Sequence, residues 1–391
     1  MVTRIVERIG RIRRSVPVFN LVLNQSFGFD VLAALSIGLS KRGVTHRFVY
    51  PYPRGPLQGP ARDARRFLAS YGIPQRLFWD ARSWWRRIFT RRILARACSS
   101  IVQTPYLSDH FHPKFYESLV KLPNLSYTNY GLNLANTPDL HFALEGFRDF
   151  SEIFVSSEQD LAGFREAGIG ASKLVVIGNP LVYQIAVGTG QTAPTQRRSE
   201  LKRILWAPHW DSGWSNWEST LGAMERILDL TPRICMTMRP HPLLLPGLRG
   251  TLPEGYRFAE AKDSEAVSRL ERFLAHPNVE LSTSSLLHDC QQSDLLVTDG
   301  VSIVGFWLAT GKPLVLLRRP DSPGFGPQFE DLKKHIDFVQ PTSADVEAWI
   351  LNWLNSTAEA RDEVEEFSHP HVVHMNGKPA DPADLLVQVF E

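Results

Sequence analysis

A short polar turn interrupts the most apolar stretch of the chain, residues 294–317. Thr298, Asp299 and Gly300 end one apolar run, and Ser302 stands where the next one begins with a helical pattern. Glycine permits a tight turn, and the first N–H groups of a helix have no partner inside the helix and favour negative charge. The pattern predicts a phosphate site, unless Ser302 only caps the helix.

Two more polar loops follow predicted strands in the same half of the chain. One holds Arg239 and His241: a guanidinium fits phosphate, and an imidazole donates to anions or transfers protons near neutral pH. The other holds His209 and Asp211 among tryptophans, which either pack in the core or wall a cleft. Parallel strands end at one edge of a sheet, so the three loops together predict a site for a phosphorylated or nucleotide-bearing ligand.

The chain alternates between strand and helix patterns. Buried strands are predicted at 18–24, 99–105 and 152–157, each followed by a helical or loop segment. The stretch 294–317 is interpreted as strand, turn, helix, turn and strand. This alternation predicts an α/β fold made of two Rossmann-like halves with parallel sheets.

A polar stretch without periodicity, rich in Gly, Thr and Gln, separates the two halves. We therefore expect an N-terminal Rossmann-like domain at 1–187, a linker at 188–200, a C-terminal Rossmann-like domain at 201–365 and a C-terminal crossover tail at 366–391.

Composition sets limits on the class of protein. The 391 residues are 43% hydrophobic and 21% charged, with a net charge of +2, which fits a soluble globular protein with no general affinity for nucleic acid. The three cysteines lie far apart, which favours a reducing cytoplasmic environment. No stretch is apolar enough to span a membrane, since Asp299, Lys312 and Pro313 interrupt the best candidate.

Three histidines of the tail, His369, His371 and His374, are close in sequence. Neighbouring carboxylates that would orient them are missing, so we predict no metal and no other cofactor.

Three sequence stretches carry a resemblance to a known family. ILWAPHW (204–210), MRPHP (238–242) and the long run from Ser285 to Leu317 resemble the C-terminal half of the CDP-glycerol glycerophosphotransferases. Members of that family make teichoic-acid-type polymers on a GT-B scaffold of two facing Rossmann-like domains. The resemblance implies that the first domain receives the acceptor and that the second binds the nucleotide.

The resemblance also implies site residues. Arg239 and His241 would contact the phosphates of the donor, and Thr298 and Ser302 would bind them at the helix start. Val301 replaces a hydroxyl that the family usually has, so one phosphate contact is missing. The family's loop APTWR is APHWD in this chain, with His209 in place of the threonine.

The largest departure from the family pattern concerns the general base. The family has a Trp-His-Gly motif whose histidine is the proposed base, and the matching position here is Asn129. An asparagine amide takes no proton near neutral pH, so another group must serve. The candidates are His141, ten or so residues later, His209 across the cleft and Glu145.

These observations predict a transferase that moves glycerol phosphate or a related polyol phosphate from a CDP-activated donor to a polymer or lipid-linked acceptor. One alternative is a glycosyltransferase or epimerase that uses a UDP-sugar, and another is an inactive protein that only binds nucleotide. Basic, apolar segments at 2–14 and 82–96 favour peripheral contact with an anionic membrane on the cytoplasmic side, or are solvated helix faces.

Overall fold

The fold is described from a computed structural model of the chain. The structure describes residues 18–24, 28–51, 61–81, 84–134, 142, 145–191, 201–211, 213–251, 264–322, 324–326, 329, 332–356, 369–375 and 378–391.

Strands are short and mostly apolar. The strands are β1 (Val18–Val22), β2 (Thr45–Tyr50), β3 (Phe78–Asp80), β4 (Ser99–Val102), β5 (Leu125–Thr128), β6 (Glu152–Val155), β7 (Leu174–Val176), β8 (Lys202–Ala207), β9 (Ile234–Met238), β10 (Val279–Leu281), β11 (Leu295–Thr298), β12 (Leu314–Leu317), β13 (Asp337–Val339), β14 (His374–Met375) and β15 (Lys378–Pro379). Every residue of β11 and β12 is buried. Continuous apolar runs are typical of parallel strands that are covered on both faces.

Helices separate most of the strands. The α-helices are α1 (Asp30–Lys41), α2 (Ala61–Ser70), α3 (Trp84–Arg96), α4 (Leu107–His110), α5 (Pro113–Leu119), α6 (Glu158–Glu166), α7 (Pro180–Gln191), α8 (Trp217–Leu230), α9 (Leu244–Leu248), α10 (Ser264–Leu274), α11 (Leu286–Gln292), α12 (Val301–Leu308), α13 (Ser343–Asn355) and α14 (Pro382–Phe390). Side chains cap several N-termini: Ser157 accepts the N–H of Asp160, and Ser285 accepts the N–H of His288. Such caps satisfy amides that a helix cannot pair internally.

The strands β1 to β13 form two large sheets in which every pair is parallel, and β14 and β15 form a separate antiparallel pair. The first sheet has the order β3-β2-β1-β4-β5-β6-β7, and the second has the order β10-β9-β8-β11-β12-β13. The strand order reverses between β1 and β4 in the first sheet and between β8 and β11 in the second. Open α/β sheets bind ligands beyond the carboxyl ends of the strands at such reversals. The predicted α/β class with two parallel sheets is confirmed.

Apolar side chains from both halves pack together. One buried cluster joins Val31 of α1 and Ile185 of α7 to Val304 and Trp307 of α12. At Gly305 of α12, a Cβ atom would lie 3.0 Å from a methyl group of Leu134 and closer still to Leu132. Only glycine therefore lets α12 approach the first half of the chain this closely.

The end of the chain returns to the first sheet. Phe390 of α14 contacts the ring of Phe19, with centroids 5.5 Å apart, and Arg42 forms ion pairs with Asp381 and Asp384. The expected domain limits stay predictions. Of the expected linker, α7 includes residues 188–191, and 192–200 lie outside the described residues.

The individual strand predictions are confirmed. The predicted strands at 18–24, 99–105 and 152–157 contain β1, β4 and β6, and the stretch 294–317 is β11, α12 and β12. No helix among the described residues is long and apolar enough to cross a membrane. Of the two basic segments, 2–14 lies outside the described residues, and α3 covers most of 82–96.

Candidate functional site

The predicted polar loops meet at the reversal point of the second sheet. Thr298 at the end of β11 pairs with Ala207 at the end of β8, and Trp206 pairs with Met238 at the end of β9. The three strands therefore deliver His209, Arg239, His241 and Asp299 to one edge. The prediction that these loops come together is confirmed by this register.

Asp299 organises the loop after β8. Its two carboxylate oxygens accept the backbone N–H groups of His209 and Asn216, each at 2.5 Å. The side chain is buried, and burial raises the pKa of Asp299 to about 6 although both hydrogen bonds oppose the shift. Because each of its oxygens accepts a backbone amide, the carboxylate positions the loop, and its negative charge disfavours direct contact with an anionic ligand.

Thr298 and Gly300 also serve the turn itself. The Thr298 hydroxyl donates to the carbonyl of Ala207 at 2.7 Å and accepts the N–H of Gly300 at 3.0 Å. Gly300 has an ordinary φ of −89°, so the turn at this position does not use the positive-φ backbone that glycine permits. The phosphate-binding role of Thr298 stays a prediction. To donate to a phosphate, its hydroxyl would have to break the hydrogen bond that it donates to the carbonyl of Ala207.

The start of α12 has the groups that an anion needs. No side chain caps the helix at Gly300, and Ser302 in its first turn is exposed. Ser302 is therefore not the helix cap, which was the simpler interpretation of this position. Uncapped first-turn amides carry the positive end of the helix dipole and bind anions readily.

His209 and His241 form a pair of neutral imidazoles. Their ring centroids are 5.1 Å apart, and Trp210 lies 5.7 Å from the ring of His241. Burial lowers the pKa of His209 to about 4 and that of His241 well below its usual value, to which the neighbouring His209 also contributes. Both rings are therefore uncharged near neutral pH.

The hydrogen bonds of the two rings fix their tautomers. Nδ1 of His209 accepts the N–H of Asp211 at 3.1 Å, and Nδ1 of His241 accepts the N–H of Leu243 at 3.2 Å. A neutral imidazole with an accepting Nδ1 carries its proton on Nε2. The pair therefore offers two Nε2–H donors, which argues against His209 as the general base in this state.

Arg239 is engaged in ion pairs. Its guanidinium donates to Asp289 at 2.8 Å and to the carbonyl of Ser284 at 2.9 Å, and it lies 3.7 Å from Asp30. Ser282 also donates to Asp289. The phosphate-binding role of Arg239 stays a prediction, and the geometry favours a role in holding the loop that leads to His241.

Asp30 connects the two halves of the chain at this point. It stands in the first turn of α1, accepts the N–H of Leu286 at 3.0 Å and accepts a hydrogen bond from Tyr71. Both Asp30 and Asp289 are largely buried beside Arg239. We name Asp30, Arg239 and Asp289 the interdomain triad.

A second arginine, Arg319, supports the loop after β8. Arg319, after β12, donates to the carbonyls of Ser215 at 3.1 Å and Gly213 at 3.2 Å. Sequence reasoning missed Arg319, Asp30 and Asn216. A charged residue directly after a predicted strand is a signal that could have identified Arg319; the other two act through contacts across 83 residues or more.

The first sheet presents amides at the corresponding edge. Asn129, after β5, donates to Asn133 at 2.7 Å, and Asn133 donates to the buried carboxylate of Asp160 at 3.0 Å. Gln103, directly after β4, is 2% exposed, and its Nε2 has no hydrogen-bond partner in the described part of the chain. His141 lies outside the described residues, and Glu145 is exposed at the start of a 3₁₀ turn.

The tail histidines pack between the halves. Nε2 of His369 lies 2.6 Å from the carbonyl of Gly305 in α12, and both ring nitrogens of the buried His371 have no hydrogen-bond partner among the described residues. Burial lowers the pKa of His369 to about 3 and that of His371 to about 4. No group of metal-binding side chains forms within the described ranges.

Two parallel sheets with a site at the reversal point define a GT-B-like architecture, and solved structures share it. A UDP-GlcNAc 2-epimerase from Methanocaldococcus jannaschii, in complex with UDP-GlcNAc and UDP, aligns over 95% of this chain and 99% of its own, with a TM-score of 0.59 and 12% identity. The UDP-GlcNAc 2-epimerase from Neisseria meningitidis, bound to UDP-GlcNAc, gives the same four values. The S. aureus MnaA–UDP structure aligns over 95% of both chains, with a TM-score of 0.59 and 12% identity.

No family model matches the chain, and no curated protein matches it. The inferred membership of the CDP-glycerol glycerophosphotransferases is therefore wrong, because the structures that share the fold are UDP-GlcNAc 2-epimerases. The CDP-activated polyol donor, the polymer or lipid-linked acceptor and the assignment to teichoic-acid synthesis are corrected with it. Polar loops after strands indicated a site for a phosphorylated ligand, but they did not identify the donor.

Proposed function

We propose that this protein is an enzyme that binds a UDP-sugar in the crevice between its halves and cleaves the bond between the sugar and the diphosphate. The observation that carries the proposal is the His209–His241 pair, which lies beside the uncapped start of α12 at the reversal point of the second sheet. The structures with this fold include three bound to UDP or UDP-GlcNAc, which favours uridine over cytidine nucleotides.

The two imidazoles suit a diphosphate leaving group. When the bond between the anomeric carbon and the phosphate oxygen breaks, its electron pair stays on the oxygen and negative charge develops there. The anomeric carbon then bonds to an acceptor oxygen in a transfer, or forms a double bond to C2 as C2 loses its proton to a base in an epimerisation. The Nε2–H groups of His209 and His241 would donate to the diphosphate, and the first amides of α12 would add the positive end of a helix dipole. Donors held in place before the reaction stabilise this charge without reorganisation.

The first sheet would bind the sugar. Gln103 follows the strand at the reversal point of that sheet, and its buried amide has a donor free for a hydroxyl or an N-acetyl carbonyl. A buried donor without a partner carries a desolvation cost of about 1–3 kcal/mol, which a ligand acceptor would relieve.

Calorimetric titration tests nucleotide binding. We expect UDP to bind more tightly than CDP, and we expect His209→Ala and His241→Ala each to weaken UDP binding about tenfold, as the loss of one hydrogen bond to a charged group implies. His288→Ala, at an exposed position on α11, is the matched control. Equal affinity for both nucleotides, or equal loss in the control, would contradict the proposal.

Proton NMR of the reaction mixture in D2O tests the chemistry. Release of UDP from UDP-GlcNAc would show cleavage of the sugar–phosphate bond. Deuterium at C2 of the sugar would identify epimerisation, and a new glycoside with an added acceptor would identify transfer. Tight UDP binding with no released UDP, no deuterium at C2 and no new glycoside would favour the binding-only alternative.

A cytoplasmic location, with peripheral contact at the inner face of a membrane, stays a prediction from the sequence. Cell fractionation followed by immunodetection of the chain tests it.

A further inference from the structure

A cavity lies in the first half of the chain, away from the second-sheet edge that carries the paired histidines. It has a volume of about 200 Å³ and lies between α3, α5 and the residues that follow β2 and β3. Its floor is apolar and includes Pro51, Ala81, Leu94 and Phe115. The carboxyl ends of parallel strands are the edge at which open α/β sheets bind ligands.

Two cations stand at this cavity. Arg91 of α3 and Lys114 of α5 both line it, and both side chains are exposed. Neither takes part in the ion pairs formed within the described ranges. No aspartate or glutamate is among the described residues that line the cavity. The site therefore combines an apolar interior with unneutralised positive charge.

We propose that this cavity binds a small hydrophobic carboxylate: an apolar body with one anionic group. An apolar cavity of roughly 150 Å³ accommodates a ligand of benzene size, so this cavity fits a body of that size with a short extension. The apolar body would rest on Leu94 and Phe115, and the carboxylate would face Arg91 and Lys114. Hydrogen bonds between charged partners are stronger than neutral ones, which favours the anion over its alcohol.

A series of three ligands tests the apolar body and the anionic group of the proposed ligand separately. The full chain is titrated by calorimetry with 3-phenylpropionate, with 3-phenylpropanol and with acetate. We expect 3-phenylpropionate to bind with a stoichiometry of one, the alcohol to bind about tenfold more weakly and acetate not to bind. Failure of 3-phenylpropionate to bind, or equal binding of the alcohol, would overturn the proposal.

Two variants test the location. The Arg91→Ala/Lys114→Ala double variant should weaken 3-phenylpropionate binding at least about tenfold, whereas Lys121→Ala/Arg249→Ala, at exposed positions outside the cavity, should leave it unchanged. Unchanged binding in the first variant, or an equal loss in the second, would overturn the proposal.

A third variant fills the cavity without removing charge. Ser118→Leu, on the wall formed by α5, should abolish binding, and Ser108→Leu, at an exposed site on α4, should not. Undiminished binding in Ser118→Leu would overturn the proposal. UDP affinity should be the same in all these variants, so failure of this site and failure of the nucleotide site give different results.

Discussion

The carboxyl edges of the two sheets use polar side chains differently. At the second-sheet edge, Asp299 and the two histidine rings are each bound to backbone amides that fix their orientation. At the first-sheet edge, Asn129 and Asn133 form a chain of side-chain amides, and Nε2 of Gln103 has no partner in the part of the chain that the structure describes. The polar side chains of the second-sheet edge are thus held in fixed orientations, which suits a charged group. Those of the first-sheet edge are amides, which suit neutral hydrogen bonds.

The interdomain triad links the two halves of the chain. Breaking it should lower the free energy of unfolding more than the other substitutions below. Arg239→Ala leaves Asp289 and Asp30 without their cation in a largely buried position. Loss of one partner of a buried ion pair costs about 3–5 kcal/mol. We expect urea unfolding to show a loss of that size.

Arg226→Ala is the control for this prediction, because Arg226 pairs with Glu347 at a more exposed site away from both edges. It should cost about 1 kcal/mol or less. Equal losses in the two variants would mean that the triad does not couple the edges.

Asp299→Ala should cause the next largest loss in the free energy of unfolding. It leaves the buried N–H groups of His209 and Asn216 without acceptors, which costs about 1–3 kcal/mol for each. The loop that carries His209 should also lose its position, so UDP affinity should fall together with the free energy of unfolding.

Asp294→Ala separates these two effects. Asp294 accepts the N–H of Arg203 at 2.8 Å at the opposite end of β8. This variant should lower stability while UDP affinity stays the same. A fall in UDP affinity in Asp294→Ala would mean that loss of stability alone explains the Asp299 result.

Acidification should destabilise the protein between about pH 6.5 and pH 4. His209 and His371 have depressed folded-state pKa values of about 4, so in this range the unfolded chain binds more protons than the native one. Asp299 acts in the opposite direction between its usual pKa and about 6, because the native state there holds the extra proton. Two histidines act against the single aspartate, so the melting temperature should fall as the pH is lowered.

His371→Phe should flatten this pH profile. A pKa of about 4 for His371, against a usual value near 6.5, corresponds to about 3 kcal/mol at the acid end, which the variant would remove. His288→Ala, at an exposed position, should leave the profile unchanged. A wild-type melting temperature that does not change between pH 6.5 and pH 4.5 would contradict the neutral, buried state of these rings.

Gln103→Leu should have the smallest effect on stability and the sharpest effect on selectivity. Nε2 of Gln103 is buried without a partner among the described residues, so its replacement by an apolar group should be nearly neutral or stabilising. Affinity for UDP-GlcNAc should fall while affinity for UDP stays the same. Equal loss for both ligands would remove the distinction between a nucleotide edge and a sugar edge.

Local patterns explain which predictions succeeded. The run 294–317 could be divided correctly into β11, α12 and β12, because burial on both faces of a parallel sheet requires continuous apolar strands. The polar loops at Asp299, His209 and His241 could be placed at one edge, because parallel strands end together. The donor could not be identified, since a phosphate-binding pattern does not distinguish one nucleotide from another.

The roles of single residues depended on distant partners. The phosphate-binding role of Arg239 stays a prediction, and the sequence did not indicate that Asp30, more than 200 positions earlier, and Asp289 pair with its guanidinium. His209 was a candidate base, and its own loop makes it a donor. Asp30 and Gln103 carried no local signal at all.

The sequence by itself determined the alternation of strands and helices and the edge at which polar loops gather, because both follow from hydrophobic periodicity and strand direction. Only the tertiary structure decided which polar groups keep free donors and which are bound within the protein. Hydrogen bonds and ion pairs act over about 3–4 Å, and folding brings residues from remote parts of the chain within that distance.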